Sequence, residues 1–314
     1  MSVDSAGDDV LVICGPTAAG KSAVAMWLAE QAPTTIISAD SRQIYRGFDI
    51  GTAKATPDER RRVPHEGIDV IEPTTRYSAA AWADAADTWL DRARDSGRRP
   101  LIVGGTGLYL RALFQGLFEE PALEPAKRQA LEQTLSQIDL AELRRWVTEL
   151  DPARAHLGRT QLLRAIEIAL LTGRRMSELH RDGARSSRWR ARYLVVDPGP
   201  SLAHRIGARI DAMFDHGWLD EVHRLMQTVP ASAPAWKSTG YDAVRRLARG
   251  EMTPAQARET ILVHTRQYAK RQRTWFRHQL PPDAVTLLDP LAADWRIVVS
   301  EWAAAGARLS RTGA

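Results

Sequence analysis

The first 116 residues alternate between short apolar runs and longer amphipathic stretches. Three runs rich in Val, Ile and Leu precede turn signals or polar motifs, at 10–14, 34–38 and 101–105. Helical periodicity covers the stretches that follow them, at 20–31, 79–95 and 107–115. Strands that alternate with helices are typical of a parallel sheet with helices on its faces. The pattern therefore predicts an α/β fold for this part of the chain.

The pattern changes after Gly116. From about Pro121 to Arg190 the sequence favours helices and shows no convincing strand, with candidates at 125–137, 139–149 and 159–171. The last of these ends at Thr172-Gly173, a glycine stop signal. A further strand is predicted near Tyr193–Val196, and a helix after Ser201, which we expect to act as its N-cap. We therefore expect an all-helical insertion in an α/β core, with segments 1–118, 119–190 and 191–314.

Composition places the chain among ordinary globular proteins. Of its 314 residues 44% are hydrophobic and 26% charged, and no apolar stretch reaches the length of a membrane span. A single cysteine, Cys14, excludes an internal disulfide and a cysteine-rich zinc site, and we expect it to be buried. The N-terminus lacks the pattern of a signal peptide. These features predict a cytoplasmic protein that binds no membrane.

Positive charge is concentrated near the C-terminal end. The net charge is +5, and no acidic residue occurs between Thr260 and Pro282. Basic residues at helical spacing share one face there: Arg266, Lys270, Arg273 and Arg277. This face could be a solvated helix surface, or it could contact the phosphate backbone of a nucleic acid.

The strongest local signal follows the first strand run. It has the form G-x-x-x-x-G-K-[ST], the pattern of a phosphate-binding loop between a strand and a helix. We expect it to bind phosphates through Gly15, Pro16, Thr17, Ala18, Ala19, Gly20, Lys21 and Ser22. In this pattern the Lys21 ammonium neutralises phosphate charge and the Ser22 hydroxyl binds Mg²⁺. Together with the alternating elements, the motif indicates a P-loop NTPase-like core.

Asp40 follows the second strand run, in the sequence Asp40-Ser41-Arg42-Gln43-Ile44-Tyr45. Open α/β sheets bind ligands at the carboxyl ends of their strands, so this carboxylate should lie near the phosphate loop. Three roles are open for it: a ligand on the magnesium side, a general base, or a cap for the polar segment after it.

Further motifs follow in a characteristic order. They are Gly51-Thr52-Ala53-Lys54, Ile68-Asp69, Gly104-Gly105-Thr106-Gly107-Leu108-Tyr109, Arg164-Ala165-Ile166-Glu167, Leu202-x-x-Arg205-Ile206-x-x-Arg209, Asp220-Glu221-Val222, Gly240-Tyr241 and Thr265-Arg266-Gln267-Tyr268-Ala269-Lys270-Arg271-Gln272. With the phosphate loop and the Asp40 segment, this order resembles the tRNA dimethylallyltransferases over roughly residues 9–280.

The resemblance implies a reaction and roles for particular residues. A dimethylallyl group would pass from dimethylallyl diphosphate to N6 of adenosine 37, next to the tRNA anticodon. Asp40 would be the general base, with Thr106 at the amine; the other interpretation of Thr106 is a helix N-cap. The phosphate loop and Mg²⁺ would hold the diphosphate. Arg205 would reach the diphosphate, unless it is only an exposed helix charge.

The same resemblance implies a tRNA-binding surface, with the helical insertion gripping the anticodon arm. By position, the contacts would include Asp40, Ser41, Arg42, Gln43, Thr106, Arg128, Thr160, Gln161, Leu162, Leu163, Arg164, Lys237, Gly240, Tyr241, Arg266, Gln267, Lys270, Arg271 and Gln272. The expected partners are tRNA and dimethylallyl diphosphate, and we expect a monomer.

The chain departs from the family pattern at three places: Glu66-Gly67, Leu157-Gly158 with Gln161, and Asp242-Ala243. None touches the loop, Asp40 or Thr106, so we expect altered tRNA affinity or selectivity rather than lost chemistry. Three alternatives stay open at this point. They are prenylation of free adenine nucleotides, a small-molecule P-loop kinase, and an RNA-binding module without enzymatic activity.

Overall fold

A six-stranded parallel sheet forms the centre of the computed structural model, which describes residues 9–116, 123–182 and 187–305. In chain order the strands are β1 (Asp9–Cys14), β2 (Thr34–Ser38), β3 (His65–Glu66), β4 (Arg99–Gly104), β5 (Arg190–Val196) and β6 (Val285–Leu288). Their spatial order is β3-β2-β4-β1-β5-β6, and every neighbouring pair is parallel. The predicted α/β class is confirmed.

Helices connect the strands and cover the sheet. The first part of the chain contributes α1 (Lys21–Ala29), α2 (Pro57–Arg62), α3 (Ala79–Asp95) and α4 (Gly107–Gln115). Between β4 and β5 follow α5 (Pro125–Ser136), α6 (Leu140–Leu150), α7 (Arg159–Thr172) and α8 (Met176–Asp182). The last part contributes α9 (Leu202–Asp215), α10 (Trp218–Thr228), α11 (Tyr241–Ala248), α12 (Pro254–Gln279) and α13 (Trp295–Ala305).

The central strand β1 is buried on both faces. Leu11 and Ile13 pack into one hydrophobic cluster, whereas Val10, Val12 and Cys14 pack into another. Side chains alternate between the faces of a strand, so a continuous apolar run suits a strand that is covered on both sides. Cys14 is fully buried at the end of this strand, and burial raises the pKa of its thiol. Within the described ranges, no helix is both long and apolar enough to cross a membrane.

The chain divides into two compact units. One consists of residues up to Phe114 and from Arg188 onward, and the other is Gln115–Ser187. The described residues of the second unit form α5 to α8 without a strand, as the sequence pattern predicts. Their core is built by apolar residues at helical spacing, namely Leu135, Leu143, Val147, Leu162 and Ile166. The predicted boundary at 118–119 lies outside the described residues.

The sequence pattern misses two strands and misassigns one cap. β3 has two residues and β6 has four, which is too short for a clear periodic signal. Ser201 does not cap α9 with its side chain, contrary to expectation. The residue ends a 3₁₀ turn, Gly199–Ser201, and its own φ of −64° and ψ of −14° are already helical. By contrast α7 ends as predicted, at Gly173 with a φ of 71°.

Candidate active site

The phosphate loop lies between the end of β1 and the start of α1. Gly15 begins it where the backbone passes β5, and a Cβ at this position would lie 2.2 Å from the Val196 carbonyl oxygen. Ala18 and Gly20 both have positive φ angles, of 61° and 104°. Such local reversals turn successive N–H groups toward one concave side, next to the N-terminus of the helix. The loop therefore has the backbone form of an anion site.

Lys21 folds back over this loop. Its Nζ atom donates a hydrogen bond of 2.8 Å to the carbonyl oxygen of Pro16. Burial, and secondarily the charge of Arg209, lower the pKa of Lys21 to about 8, although the Asp40 carboxylate opposes this shift. The Lys21 ammonium thus lies between the charge of the Arg209 guanidinium and that of the Asp40 carboxylate.

Two arginines reach the loop from α9. The Nε atom of Arg205 donates to the Ala18 carbonyl oxygen at 3.0 Å, so its side chain is not merely an exposed helix charge. Arg209, one turn later, lines the same cavity, and burial lowers its pKa from the ordinary value. We did not predict Arg209 as a site residue. Its spacing of four residues from Arg205 places both on one helix face and could have indicated it.

Asp40 and Thr106 meet because β2 and β4 are neighbours in the sheet. One carboxylate oxygen of Asp40 accepts from the Arg42 N–H at 2.8 Å, which caps the turn after β2. The Thr106 hydroxyl accepts from the Ser41 N–H at 3.0 Å, and the Thr106 N–H donates to the Ala39 carbonyl at 3.1 Å. The cap interpretation of Asp40 thus holds for one oxygen. Among the described residues, no hydrogen bond reaches its other carboxylate oxygen.

A tyrosine missed by the sequence analysis stands beside these two residues. Tyr268 on α12 lines the cavity together with Asp40. Burial and the Asp40 charge raise the pKa of Tyr268 to about 12, while the Thr106 hydroxyl acts in the opposite direction. The phenol therefore stays protonated at neutral pH. Tyr268 belongs to the motif Thr265–Gln272, but no residue pattern distinguishes it from its neighbours in the sequence.

One cavity of about 630 Å³ brings most of these groups together. Its walls include Thr17, Ala18, Gly20, Lys21, Ser22, Asp40, Gln43, Arg205, Arg209, Tyr268 and Gln272. A second cavity of about 70 Å³ shares Thr17, Ala18, Asp40, Arg209 and Tyr268 with it. The remaining predicted loop residues are buried and do not belong to the cavity wall: Gly15, Pro16 and Ala19. The walls of this cavity thus bring the cations Lys21, Arg205 and Arg209 together with the Asp40 carboxylate.

A divalent cation fits this donor set. The Ser22 hydroxyl borders the cavity at the start of α1, beside Lys21. Among the described residues, no three His, Cys, Asp or Glu side chains form a metal-binding group. Mg²⁺ often binds through one protein oxygen, phosphate oxygens and water, so a preformed cage is not required.

The comparisons with known proteins agree with this geometry. Residues 43–279 match the sequence profile described as "IPP transferase", which is three quarters of the chain. The chain belongs to the IPP transferase family. Residues 8–66, which include the phosphate loop, also match the profile "Isopentenyl transferase".

Individual relatives are named as tRNA-modifying transferases. A tRNA dimethylallyltransferase of Anaeromyxobacter sp. is 40% identical over 276 residues, covering 86% of this chain and 90% of its own. That of Gloeobacter violaceus is 42% identical over 273 residues, covering 85% and 89%. The crystal structure of the Bacillus halodurans tRNA isopentenylpyrophosphate transferase superposes with a TM-score of 0.68 at 30% identity, covering 96% and 99%. A eukaryotic dimethylallyltransferase acting on tRNA shares the fold, with a TM-score of 0.78 at 24% identity, covering 95% and 80%.

The predicted tRNA contacts of this IPP transferase on α12 fall into two groups. Arg266, Gln267, Lys270 and Arg271 are exposed. Gln272 points inward instead and is 6% exposed. Arg273, predicted to continue the basic face, donates from Nε to Asp197 at 2.8 Å and is therefore paired.

Three other predicted contacts, Leu162, Gly240 and Tyr241, are buried. Leu162 belongs to the hydrophobic core of the second unit. Gly240 is buried, and Tyr241 is fully buried with its hydroxyl donating to Glu221 at 2.6 Å. Glu221 also accepts from the Asp49 and Ile50 N–H groups, so this motif serves packing. Lys237, by contrast, is exposed.

The side-chain amide of Gln43 forms hydrogen bonds to other residues of the protein. Its Oε1 accepts from the Ser38 hydroxyl at 2.8 Å, and its Nε2 donates to the Thr52 and Ala53 carbonyls at 3.2 and 3.0 Å. Lys54 follows, buried and bonded to Asp49 and Asp69. This network explains the Gly51–Lys54 and Ile68-Asp69 motifs as support for the segment after Asp40.

Predicted contacts in the second unit form their own pairs. Arg164 donates to the buried Glu167 at 2.6 Å, and Arg128 lies 3.5 Å from the same carboxylate. The Gln161 side chain accepts from the Gly158 N–H at 3.0 Å and closes the start of α7. Thr160 is exposed, and Leu163 is half-buried.

Two departures from the family pattern have a local explanation. Glu66 pairs with Arg92 at 3.0 Å. Gly67 has a φ of 77°, and a Cβ there would lie 2.7 Å from the Ser38 carbonyl oxygen, so this turn requires glycine.

A further departure, Asp242, is exposed at the start of α11.

Proposed function

We propose that this IPP transferase transfers a dimethylallyl group from dimethylallyl diphosphate to N6 of adenosine 37 in tRNA. The observation that carries the proposal is the shared cavity: Lys21 and the phosphate loop form part of its wall, and Asp40 another part. The names of the relatives give the substrate class. A P-loop kinase fits less well, because relatives about 40% identical over 85–86% of this chain are named tRNA dimethylallyltransferases.

The diphosphate is the leaving group, and the cationic end of the cavity suits it. Its charge grows as the bond between C1 of the dimethylallyl group and oxygen breaks. Loop N–H groups, Lys21, Arg205 and Arg209 are already in place to stabilise that charge, which lowers the barrier without reorganisation. The allylic carbon tolerates positive character, so stabilising the leaving side is the larger requirement.

The adenine amine is a weak nucleophile because its lone pair is delocalised into the ring. As N6 forms its bond to C1, it must lose a proton, and we assign that proton to the Asp40 carboxylate. Thr106 holds the Ser41 backbone next to Asp40 and keeps the carboxylate in place. Diphosphate leaves with the electron pair of the broken C–O bond, so the charges balance.

Mg²⁺ is the cation we propose for this site, held by the Ser22 hydroxyl and the diphosphate. When bound, it neutralises diphosphate charge. Lys21, Arg205 and Arg209 would orient the donor.

The acceptor nucleotide must leave the anticodon loop to reach the cavity. Extrusion requires a few kcal/mol of unstacking, less for a loop base than for a paired one. We propose that phosphates of the anticodon arm bind the exposed cations of α12, and that the unit Gln115–Ser187 grips the arm through exposed residues such as Thr160. Leu162, Gly240, Tyr241 and Gln272 drop out of this surface. We propose that the enzyme acts as a monomer in the cytoplasm.

The proposal is tested by incubating the protein with labelled dimethylallyl diphosphate, Mg²⁺ and either tRNA or adenosine monophosphate. We expect label in tRNA, at the adenosine next to the anticodon. Label in free nucleotide without label in tRNA would assign the chain to the nucleotide-prenylating enzymes. An exchange of adenosine 37 for guanosine is the matched control, since it removes the N6 amine.

A further inference from the structure

Gln272 connects two loops of the active site that are far apart in sequence. Its Oε1 accepts from the Thr17 N–H in the phosphate loop at 2.8 Å. Its Nε2 donates to the carbonyl oxygen of Gly105 at 2.9 Å, in the turn between β4 and α4. The side chain is buried; its bond to Gly105 is buried as well, and its bond to Thr17 is partly buried. The amide therefore links the loop assigned to the diphosphate with the turn that carries Thr106.

The approach of α12 leaves no room for a side chain at Gly105 or at Gly107. A Cβ on Gly105 would lie 2.3 Å from the Gln272 amide nitrogen. A Cβ on Gly107 would lie equally close, 2.3 Å, to the ring of Trp275, one turn further along α12. Gly105 and Gly107 thus let α12 approach the turn at two positions that are about one helical turn apart.

The link continues from the turn to the proposed base. Thr106 follows Gly105 directly, and its hydroxyl holds the Ser41 N–H at 3.0 Å. Its N–H bonds to Ala39, the residue before Asp40. A continuous path of hydrogen bonds and covalent bonds thus runs from Thr17 through Gln272 to both neighbours of Asp40.

We propose that Gln272 is a positioning residue that fixes the diphosphate loop relative to Asp40 and Thr106. This inference rests on the proposed function of these groups. An amide suits the position because one end must accept and the other must donate. Group transfer is sensitive to such spacing: a misplacement of about 1 Å can lower the rate about 10²-fold. Gln272 touches no substrate in this assignment, although its motif predicted a tRNA contact.

The test compares Gln272→Glu and Gln272→Leu with the wild type under single turnover at saturating dimethylallyl diphosphate and tRNA. We expect the rate to fall about 10²-fold in both variants. The Kd for tRNA should stay at the wild-type value. Gln279→Glu and Gln279→Leu make the same changes at an exposed position of α12 and should leave the rate unchanged. An unchanged saturated rate with weakened tRNA binding would overturn the proposal and make Gln272 an RNA contact.

Gln272→Glu also gives a pH signature. A protonated carboxyl can donate to the Gly105 carbonyl and accept from Thr17, but a carboxylate only accepts. The ratio of variant rate to wild-type rate should therefore rise as the pH falls. The ratio is used because the charged and ionisable groups that face the same cavity are common to both proteins: Lys21, Asp40, Lys54, Glu59, His65, Arg205, Arg209 and Tyr268. A ratio that does not change with pH would contradict the proposed donor role.

Hydrogen exchange tests the link without turnover. The Thr17 amide should exchange faster in Gln272→Leu than in the wild type and Gln279→Leu. Equal protection in all three would overturn the proposal. This measurement keeps the outcome separate from that of the proposed function, because it does not depend on tRNA being the acceptor.

Discussion

Two groups of cationic side chains lie in the same unit of this protein but differ in their surroundings. Lys21, Arg205 and Arg209 border the active-site cavity, and the first two are bonded to carbonyls of the phosphate loop. Lys270 and Arg271 project from α12 and are exposed.

The difference matches two kinds of anion. The cavity cations are half-buried and two of them are held by hydrogen bonds before a ligand arrives, so their charge is screened less than that of exposed groups, which suits a small diphosphate and a developing charge. Exposed cations are screened by salt and bind a phosphate backbone largely by releasing its counterions. The two groups should therefore fail in different ways when they are altered.

The largest effect is expected at Asp40, which both cavities share. Asp40→Asn retains an oxygen for the Arg42 N–H and loses the proton acceptor. We expect turnover to fall by about 10²–10⁴ while the Kd for inorganic diphosphate stays unchanged. Rapid-quench assays and calorimetry measure the two quantities. If diphosphate affinity falls in parallel with turnover, Asp40 belongs to the donor site and not to the acceptor.

The next effect is expected at Lys21. Lys21→Met should weaken diphosphate binding about 10–100-fold, the strength of one charge-assisted hydrogen bond. Because the pKa of Lys21 is lowered to about 8, the wild-type ammonium loses its proton as the pH rises through this value. The affinity advantage of wild type over Lys21→Met should therefore be full at pH 7 and shrink above pH 8. Calorimetric titrations with diphosphate measure it.

Lys127→Met is the matched control for Lys21. Lys127 is an exposed lysine that pairs with Glu124 at 2.7 Å. Its replacement should leave diphosphate affinity and its pH dependence at wild-type values. An equal pH response in Lys21→Met and wild type would argue against a cation at this place in the loop.

The smallest effect is expected on the exposed side of α12. Lys270→Ala and Arg271→Ala should each reduce the slope of log K against log salt for tRNA binding by about one, with diphosphate affinity intact. Arg258→Ala provides the contrast on the same helix, because Arg258 is already bonded to both carboxylate oxygens of Asp211, at 2.6 and 2.8 Å. If all three variants change the slope alike, the effect reflects the net charge of the protein and not a contact between α12 and the tRNA phosphates.

The core of the site could be predicted because its signals are local. The run Val10–Cys14 gives the strand, the glycine pattern gives the loop, and Asp40 follows the next strand directly. Parallel strands then bring these chain segments to one edge of the sheet. No long-range information is needed beyond the position of β4, which lies between β1 and β2 in the sheet.

The long helix α12 could not be interpreted in the same way. Its 26 residues pass several neighbours in turn, so the side that faces solvent at Lys270 meets Asp197 at Arg273. Charge spacing predicts one continuous basic face and cannot show which member finds an acid. For the same reason the sequence predicted Gln272 as a tRNA contact and did not predict Tyr268 at all, since neither polarity nor periodicity reveals which polar side chain a helix turns toward a cavity.

The burial of Cys14 has a practical consequence for studying both cationic regions. This is the chain's single thiol, it is fully buried, and its raised pKa keeps it in the unreactive protonated form. A cysteine introduced at an exposed position would therefore be the one group that a maleimide fluorophore labels. One dye beside the phosphate loop and another on the outer face of α12, in separate preparations, would report the arrival of donor and of tRNA independently and reveal their order.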